Sequence, residues 1–278
     1  MYLERKNSYY GCVLILGRSN VGKSTLLNTL IGEKISITSH KINTTYCNIT
    51  GIYNYKSYQI KYIDTPGIIY NQSHIHNVLY HNKLNYVLFI LDRNKWGYAE
   101  KKIIKILNNI NIPIIIIINK IDKISDKKIL LPHIDFLQKK IKFVYLFIIS
   151  AKYKLHTNII NNFICNNLLK SKHHYPDNII TDQTKEFFVK EIIRENIMKY
   201  IHKEIPYLIK ITVDSFIIEE INKQKEIKIF LFVKTLNQKK ILIGKNAKII
   251  KLITHKSKKN IEEILKKIVN LKLWVKVQ

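Results

Sequence analysis

The sequence Gly17-Arg18-Ser19-Asn20-Val21-Gly22-Lys23-Ser24 determines the fold of the N-terminal half. It follows an apolar run, Cys12–Leu16, and opens a segment that we predict as a helix, Ser24–Ile31. A loop wrapped around a polyphosphate must present several backbone N–H groups to one anion, and glycine permits that geometry. The helix N-terminus adds its dipole, Lys23 would reach the β- and γ-phosphates, and the Ser24 hydroxyl would ligate Mg²⁺. The stretch therefore predicts a phosphate-binding loop.

Polar tetrapeptides that follow other apolar runs indicate which nucleotide binds. Asp64-Thr65-Pro66-Gly67 follows Ile60–Ile63, so Asp64 could hold the metal ion and the Gly67 N–H could sense a γ-phosphate. Asn119-Lys120-Ile121-Asp122 follows Pro113–Ile118, and a third motif, Ser150-Ala151-Lys152, follows a later run.

The Asp122 carboxylate favours guanine over adenine. It can accept hydrogen bonds from the N1–H and exocyclic amine of guanine, whereas adenine would leave it unpaired at a cost of kilocalories. The backbone of Ser150-Ala151-Lys152 could support the guanine O6. In this order, each just past a predicted strand, these motifs predict a GTP site.

Continuous apolar runs of strand length predict a doubly wound α/β domain over residues 1–170. Such runs fit strands buried on both faces of a mostly parallel sheet. They include Tyr86–Leu91 and Tyr145–Ile149, and Glu100–Asn109 between them has helical spacing. Residues 171–183 show no periodicity, and we predict a linker there.

Residues 184–278 predict a small α+β domain with the order helix, strand, strand, helix, helix, strand. The predicted elements are Thr184–Lys203, Tyr207–Phe216, Glu226–Thr235, Gly244–His255, Asn260–Val269 and Leu271–Val277.

The composition restricts the class of protein. Hydrophobic residues make up 46% and charged residues 24% of the 278 positions, which excludes disorder of the whole chain. No apolar run reaches the ~20 residues of a spanning helix, and the three cysteines suggest no disulfide framework. These features, with the polar Met1–Tyr10, predict a cytoplasmic protein.

The net charge of +27 has two explanations that remain open. It suggests a polyanionic partner, but A/T-biased codon usage would also enrich the chain in lysine. Residues 239–278 hold 12 lysines against 2 glutamates. A codon bias that acts uniformly along the chain does not explain this local excess well.

Several stretches resemble the bacterial Era family of GTPases. Beside the nucleotide motifs, they are Lys34–Ser39 with Thr44-Thr45, Leu130–His133, Ile180–Asp182, Glu191–Glu195 and Leu273–Val277. The resemblance implies a P-loop GTPase domain followed by a KH-type RNA-binding domain. It also implies a GTPase that binds small-subunit rRNA near its 3′ end and assists small ribosomal subunit maturation.

The resemblance, together with the motifs, gives the following site. The GTP-binding residues would be Gly17, Arg18, Ser19, Asn20, Val21, Gly22, Lys23, Ser24, Thr25, Asp64, Thr65, Pro66, Gly67, Ile68, Asn119, Lys120, Ile121, Asp122, Ser150, Ala151 and Lys152. Catalysis would involve Lys23, Thr45 and Asn20, and Mg²⁺ would lie on Ser24, Thr45 and Asp64.

The RNA-gripping loop departs from the family's Gly-x-x-Gly pattern, because Ala247 replaces the second glycine. If that position has a positive φ, alanine adds strain of about 1 kcal/mol and a methyl group near the phosphates. The residues that would contact RNA are Ile243, Gly244, Lys245, Asn246, Ala247, Lys248 and Lys251.

Hydrolysis would be slow. Ile68 stands where Ras-like enzymes have a glutamine that orients the attacking water. Asn20 matches a residue that helps seat K⁺ in related families, and a structural role for it is the alternative. The segment after Gly67 looks shorter than usual, and Tyr46 replaces an arginine.

Two rival functions stay open. One is an RNA-binding chaperone whose site binds GTP but hardly hydrolyses it, and the other is a GTPase whose RNA binding is purely electrostatic. We further expect a monomer, with weak peripheral association with the inner membrane as an additional candidate contact.

Overall fold

The computed structural model describes residues 8–36, 48–65, 77–79, 82–201, 204–217 and 226–278. The chain divides into two compact units, Met1–Asp182 and Gln183–Gln278.

A six-stranded sheet with the order β2-β3-β1-β4-β5-β6 forms the centre of the first unit. Its strands are β1 Tyr9–Leu16, β2 Ile49–Tyr55, β3 Tyr58–Asp64, β4 Tyr86–Asp92, β5 Ile114–Asn119 and β6 Tyr145–Ile148. All strand pairs are parallel except β2–β3, which is an antiparallel edge hairpin. The mostly parallel sheet is confirmed, and β2 is an additional strand that the apolar runs do not predict. This edge strand contains Gly51 and Asn54, which weaken the pattern of a strand.

Helices accompany the strands of this sheet along the chain. They are α1 Lys23–Ile31, α2 Tyr98–Leu107, α3 Leu131–Lys140 and α4 Asn158–Asn166. Every residue of β5 is buried, as the continuous apolar run predicts. Since β1, β3, β5 and β6 are parallel, their carboxyl ends lie at the same edge, and the loops that follow them meet there.

The predicted linker contains a segment that is bound to β3. Gln59 is fully buried, and its Oε1 accepts hydrogen bonds from the backbone N–H groups of His174 at 2.9 Å and Tyr175 at 3.0 Å. Its Nε2 donates to the Tyr175 carbonyl oxygen at 2.8 Å. Ile52 N donates to the Ile180 carbonyl oxygen at 2.8 Å. These bonds place residues up to Asp182 with the first unit.

The second unit is a three-stranded sheet, β7-β8-β9, with β7–β8 antiparallel and β8–β9 parallel. Its elements are α5 Lys185–Tyr200, α6 Ile205–Leu208, β7 Lys210–Ile217, β8 Glu226–Val233, α7 Leu236–Ile243, α8 Lys248–Leu265 and β9 Asn270–Val277. Ile193, Leu231 and Ile253 are among the fully buried residues of its core.

Two predicted helices in this unit, Gly244–His255 and Asn260–Val269, are wrong. One continuous helix, α8, crosses the polar residues that separate the two predicted ranges. Ile253, Ser257 and Ile261 are its buried residues, and they are four positions apart. The small Ser257 therefore continues the buried stripe through a stretch of lysines.

The helix α7 was not predicted as a helix. Thr235 caps it by accepting a hydrogen bond from Gln238 N at 3.2 Å, and Gln238 Oε1 accepts from Lys234 N at 2.9 Å. This reciprocal arrangement resembles a capping box, so the Thr-x-x-Gln pattern was a signal available in the sequence.

Candidate functional site

The phosphate loop lies between β1 and α1, and Lys23 is folded back across it. The Lys23 side chain is buried, and its Nζ donates to the carbonyl oxygens of Gly17 and Arg18 at 3.0 Å each. Burial lowers the pKa of Lys23 to about 8, although the charge of Asp64 opposes this shift. The ammonium is therefore still mainly charged at neutral pH and lies where the loop would enclose phosphate.

The backbone of the loop requires glycine at Gly22. Its φ is 101°, a left-handed conformation that L side chains rarely adopt. A Cβ atom at this position would also collide with the side-chain amide of Asn119. The close approach of these two groups explains why the loop carries glycine where α1 begins.

Ser24 and Asp64 form a pair that fits a magnesium ion. The Ser24 Oγ donates to Asp64 Oδ2 at 2.7 Å, and Asp64 is fully buried. Burial raises the pKa of Asp64 to about 6, against the lowering effect of Lys23 and Ser24. Within the described part of the chain, Asp64 Oδ1 has no hydrogen-bond partner. A hydroxyl next to a carboxylate with an unused oxygen offers the ligands that Mg²⁺ prefers.

Asn119 connects three of the predicted motifs. Its Nδ2 donates to the Val21 carbonyl oxygen at 2.8 Å, and its Oδ1 accepts from Lys120 N at 2.8 Å and Ala151 N at 2.9 Å. The side chain is buried, so these bonds are shielded from water. Asn119 thus links the phosphate loop to both segments predicted to bind the base.

The base-binding segments present an exposed carboxylate. Asp122 is exposed, and its Oδ1 accepts a hydrogen bond from Ser150 Oγ at 2.5 Å. Ile121 N donates to the Ile149 carbonyl oxygen at 3.2 Å, which ties the two loops together. Lys152 is exposed, with its Nζ 4.9 Å from the centroid of the Tyr153 ring. The serine therefore orients the carboxylate that is predicted to recognise guanine.

Two buried acids beside the phosphate loop, Asp92 and Glu100, are not among the residues predicted from the sequence. Arg18 Nε lies 2.8 Å from Glu100 Oε1, and Lys120 Nζ lies 3.2 Å from Asp92 Oδ2. Lys120 Nζ also donates to the Asn20 carbonyl oxygen. Asp92 ends β4, beside Asn119 at the end of β5. A carboxylate directly after a buried strand was the signal that could have identified it.

Opposing effects act on the pKa of Asp92. Burial would raise it, but hydrogen bonds from Arg93 and Lys120 and the charges of both outweigh burial, so the pKa is lowered. Asp92 consequently stays ionised and holds Lys120 against the loop.

Of the other predicted residues, some are described by the structure and some lie outside the described ranges. Thr65 Oγ1 donates to the Ile15 carbonyl oxygen at 2.9 Å, and the Thr25 carbonyl oxygen accepts from Thr29 Oγ1 at 2.9 Å. Thr45, Tyr46, Pro66, Gly67 and Ile68 lie outside the described residues. The predicted nucleotide residues that are described thus lie at one edge of the first unit's sheet.

The predicted RNA loop lies in the second unit, between α7 and α8. Gly244, Asn246 and Ala247 have φ values of 73°, 53° and 59°. Ala247 is therefore in the left-handed region, which is the condition under which alanine was expected to add strain. Lys245, Lys248 and Lys251 are exposed.

A groove of about 460 Å³ lies beside this loop. Its lining residues are Leu236, Lys239, Lys240, Ile243, Gly244 and Lys245. An apolar floor with lysines along it is suited to a single-stranded nucleic acid.

In the described ranges, no helix is long and apolar enough to cross a bilayer.

Two family models match the chain. Residues 12–120 match a family described as a 50S ribosome-binding GTPase, and residues 196–278 match the KH domain. The GTPase Era of Buchnera aphidicola from Acyrthosiphon pisum (strain APS) is 44% identical over 99% of both chains. The GTPase Era of Yersinia enterocolitica is 34% identical over 99% of this chain and 93% of its own length.

Two solved structures are similar over nearly the whole chain. One is an Aquifex aeolicus Era variant bound to GDP and AlF₄⁻, with 33% identity and a TM-score of 0.87, covering 97% of this chain and 94% of that one. The other is Era in complex with MgGDPNP and nucleotides 1506–1542 of 16S ribosomal RNA. It has 33% identity and a TM-score of 0.88, covering 98% of this chain and 94% of the other.

Proposed function

The chain belongs to the Era family of GTPases, and on this premise we propose that it is a GTP-hydrolysing switch that binds small-subunit rRNA near its 3′ end. In this role it assists maturation of the small ribosomal subunit. The observation that carries the nucleotide half of the proposal is Asn119, whose side chain joins the phosphate loop to the segments of Asp122 and Ser150.

The buried groups of the first unit have separate tasks in this proposal. Lys23 neutralises the β- and γ-phosphates, and the loop amides bind the same oxygens. Ser24 and Asp64 would hold Mg²⁺, which would supply positive charge to the transferring phosphoryl group. Asp122, oriented by Ser150 at 2.5 Å, accepts the N1–H and the exocyclic amine of guanine.

The hydrolysis step would depend on charge rather than on a glutamine that orients water. Thr45 would join the magnesium ligands when GTP is bound, and Ile68 offers no polar group to the water. Asn20 would either help seat K⁺ or support the loop, where its carbonyl oxygen accepts from Lys120 Nζ. We therefore expect slow intrinsic turnover, and faster turnover in KCl than in NaCl if Asn20 seats the ion.

The RNA half rests on the second unit. The groove beside the loop Gly244–Ala247 is lined by Lys239, Lys240 and Lys245, whose charges would contact the phosphates of a single strand. The solved Era complex with nucleotides of 16S ribosomal RNA supports this choice of RNA.

GTP turnover by the purified protein tests the proposal. It is measured in KCl and in NaCl, with RNA matching the 3′ end of small-subunit rRNA and with a scrambled RNA of equal length. We expect hydrolysis that the matched RNA stimulates and the scrambled RNA does not. In Asp122→Asn the preference for guanine should fall about 100-fold, because the amide cannot accept both hydrogen bonds.

An RNA-binding chaperone that binds GTP without hydrolysing it is not favoured, since an Era bound to GDP and AlF₄⁻ is among the matched structures. GTP binding without turnover in either salt would reverse this judgement. Equal affinity for the matched and scrambled RNAs would instead indicate purely electrostatic binding.

We also propose that the protein is a cytoplasmic monomer with weak peripheral contact with the inner membrane. The lysine excess of residues 239–278 supports contact with anionic lipid. Light scattering tests the monomer, and co-sedimentation with vesicles of anionic and of neutral phospholipid tests the contact. Equal binding to both vesicle types would contradict it.

A further inference from the structure

The sheet of the second unit has a solvent-facing side that the proposed RNA loop does not use. Cross-strand partners lie on the same face of a sheet, so the pairs Lys228–Lys272, Phe230–Trp274 and Phe232–Lys276 share one face. The alternate residues of β8, Ile227, Ile229, Leu231 and Val233, are buried in the core. The face with the aromatic residues and lysines is therefore directed away from that core.

Three aromatic residues lie on this face of the sheet. Trp274 is 57% exposed, and the Phe230 and Phe232 rings are half-buried, with their centroids 6.0 Å apart. Trp274 is opposite Phe230 in the register of β8 and β9. A large exposed indole on the same face as two half-buried phenyl rings has an energetic cost in water unless a partner covers it.

Lysines share this face with the aromatic residues. The three strands of the sheet contain four lysines, Lys210, Lys228, Lys272 and Lys276, against the two acids Asp214 and Glu226. Lys276 Nζ lies 3.5 Å from the centroid of Phe230. Glu226 is paired with Lys228 at 3.1 Å and with Lys272. The face is therefore aromatic and cationic, which are the two properties that a single nucleic acid strand requires.

We propose that this face, formed by Phe230, Phe232, Trp274 and Lys276, is a second contact site for single-stranded RNA. Bases would stack on Trp274 and Phe232, and Lys276 would contact a phosphate between them. Sheets that carry exposed aromatic residues bind RNA in this way in other folds. The inference rests on the proposed RNA-binding function and extends it to a site that is separate from the loop Gly244–Ala247.

The two tryptophans of the chain make the site directly observable. In a Trp96→Phe background Trp274 is the single tryptophan and can be excited selectively over the 17 tyrosines. Trp96 lies in the other unit against Phe136, at a centroid distance of 5.0 Å. The probe is oligoadenylate, and the control probe is an abasic oligomer of equal length. We expect oligoadenylate to quench Trp274 and the abasic oligomer to leave it unchanged, because only bases stack.

Neutralising two lysines of the loop separates the contributions of the two sites to RNA binding. In Lys245→Gln/Lys248→Gln the affinity for RNA falls, but quenching of Trp274 at saturation should persist. Adding Trp274→Ala to this variant should weaken oligoadenylate binding by about 5-fold or more, as judged by fluorescence polarisation. Ile268→Ala, at a residue of the same unit that is 81% exposed, is the matched control and should leave binding unchanged. The logarithm of the RNA affinity falls linearly with the logarithm of the salt concentration. Lys276→Gln should reduce the slope of this line by the amount that one phosphate contact contributes.

Three results would overturn the inference. One is unchanged Trp274 fluorescence when polarisation shows that RNA is bound and that binding depends on the loop; the proposed function would then stand alone. The second is equal quenching by the abasic oligomer. The third is quenching by vesicles of anionic phospholipid but not by RNA, which would identify a lipid-binding face. If the protein with an intact loop binds no RNA, the proposed function fails as well.

Discussion

The side-chain amide of Asn119 donates to the carbonyl oxygen of Val21 at 2.8 Å, although 98 positions separate the two residues in the chain. This bond joins the end of β5 to the phosphate loop that follows β1. Because the amide is buried and its oxygen accepts two further backbone N–H groups, one side chain determines how the phosphate-binding and base-binding loops face each other.

Asn119→Ala should therefore weaken GTP and GDP binding about 10-fold or more, since the backbone groups that it satisfies become unpaired. Fluorescent-nucleotide titration measures the effect. Asn167→Ala, at an exposed asparagine that donates to the Phe163 carbonyl oxygen, is the matched control and should bind normally. Equal affinities in Asn119→Ala and the wild type would contradict the bridging role.

Ser150→Ala should reduce the preference for guanine over adenine nucleotides about 10-fold. The Ser150 hydroxyl donates to the Asp122 carboxylate at 2.5 Å, and a hydrogen bond to a charged group is worth about 1.5–3 kcal/mol. Competition of GTP and ATP for the bound fluorescent nucleotide measures the preference. Ser171→Ala removes an exposed hydroxyl and should leave the preference unchanged. A loss of ATP and GTP binding in equal proportion would argue against orientation of Asp122.

Ala247→Gly should stabilise the protein by about 1 kcal/mol, because glycine adopts a positive φ without the clash of a Cβ atom. The φ of Ala247 is 59°. Urea unfolding followed by circular dichroism gives the free energy, and RNA affinity should rise in the same variant. Ala99→Gly, in the helix α2, should instead destabilise the protein. A loss of stability in Ala247→Gly would show that the loop is not strained.

Gln59→Ala should release the segment around Tyr175 from β3. The Gln59 side chain makes three hydrogen bonds to that segment's backbone, and we expect a loss of about 2 kcal/mol or more. Limited trypsin digestion should cut faster after Lys172 in this variant. Gln138→Ala, at an exposed position of α3, should be cut at the wild-type rate. Unchanged digestion would mean that other contacts hold the segment.

The thiols of Cys12 and Cys165 should resist alkylation at pH 8. Burial raises the pKa of each thiol to about 11, so the reactive thiolate is scarce at pH 8 and its fraction increases toward pH 11. Mass spectrometry of a Cys47→Ser variant treated with iodoacetamide should show no label in the native state and two labels in denaturant. Rapid labelling of the native protein at pH 8 would refute the burial of these thiols.

The GTPase fold could be predicted from the sequence because its signals are local. The glycine-rich loop, the buried strand runs and the motifs after them each lie within a few residues, and parallel strands bring those motifs to one edge. Element bounds were less predictable. The edge strand β2 has no continuous apolar run, and α8 passes through lysines because only Ile253, Ser257 and Ile261 are buried.

The sequence by itself determined the nucleotide class, the two-part organisation and the likeness to the Era family, since these follow from residue types at short spacing. The tertiary structure alone decided which partners meet: Asn119 with Val21, Arg18 with Glu100, Gln59 with Tyr175, and Phe230 with Trp274. These pairs are far apart in the chain, so they depend on strand order and register, and local sequence patterns do not contain that information.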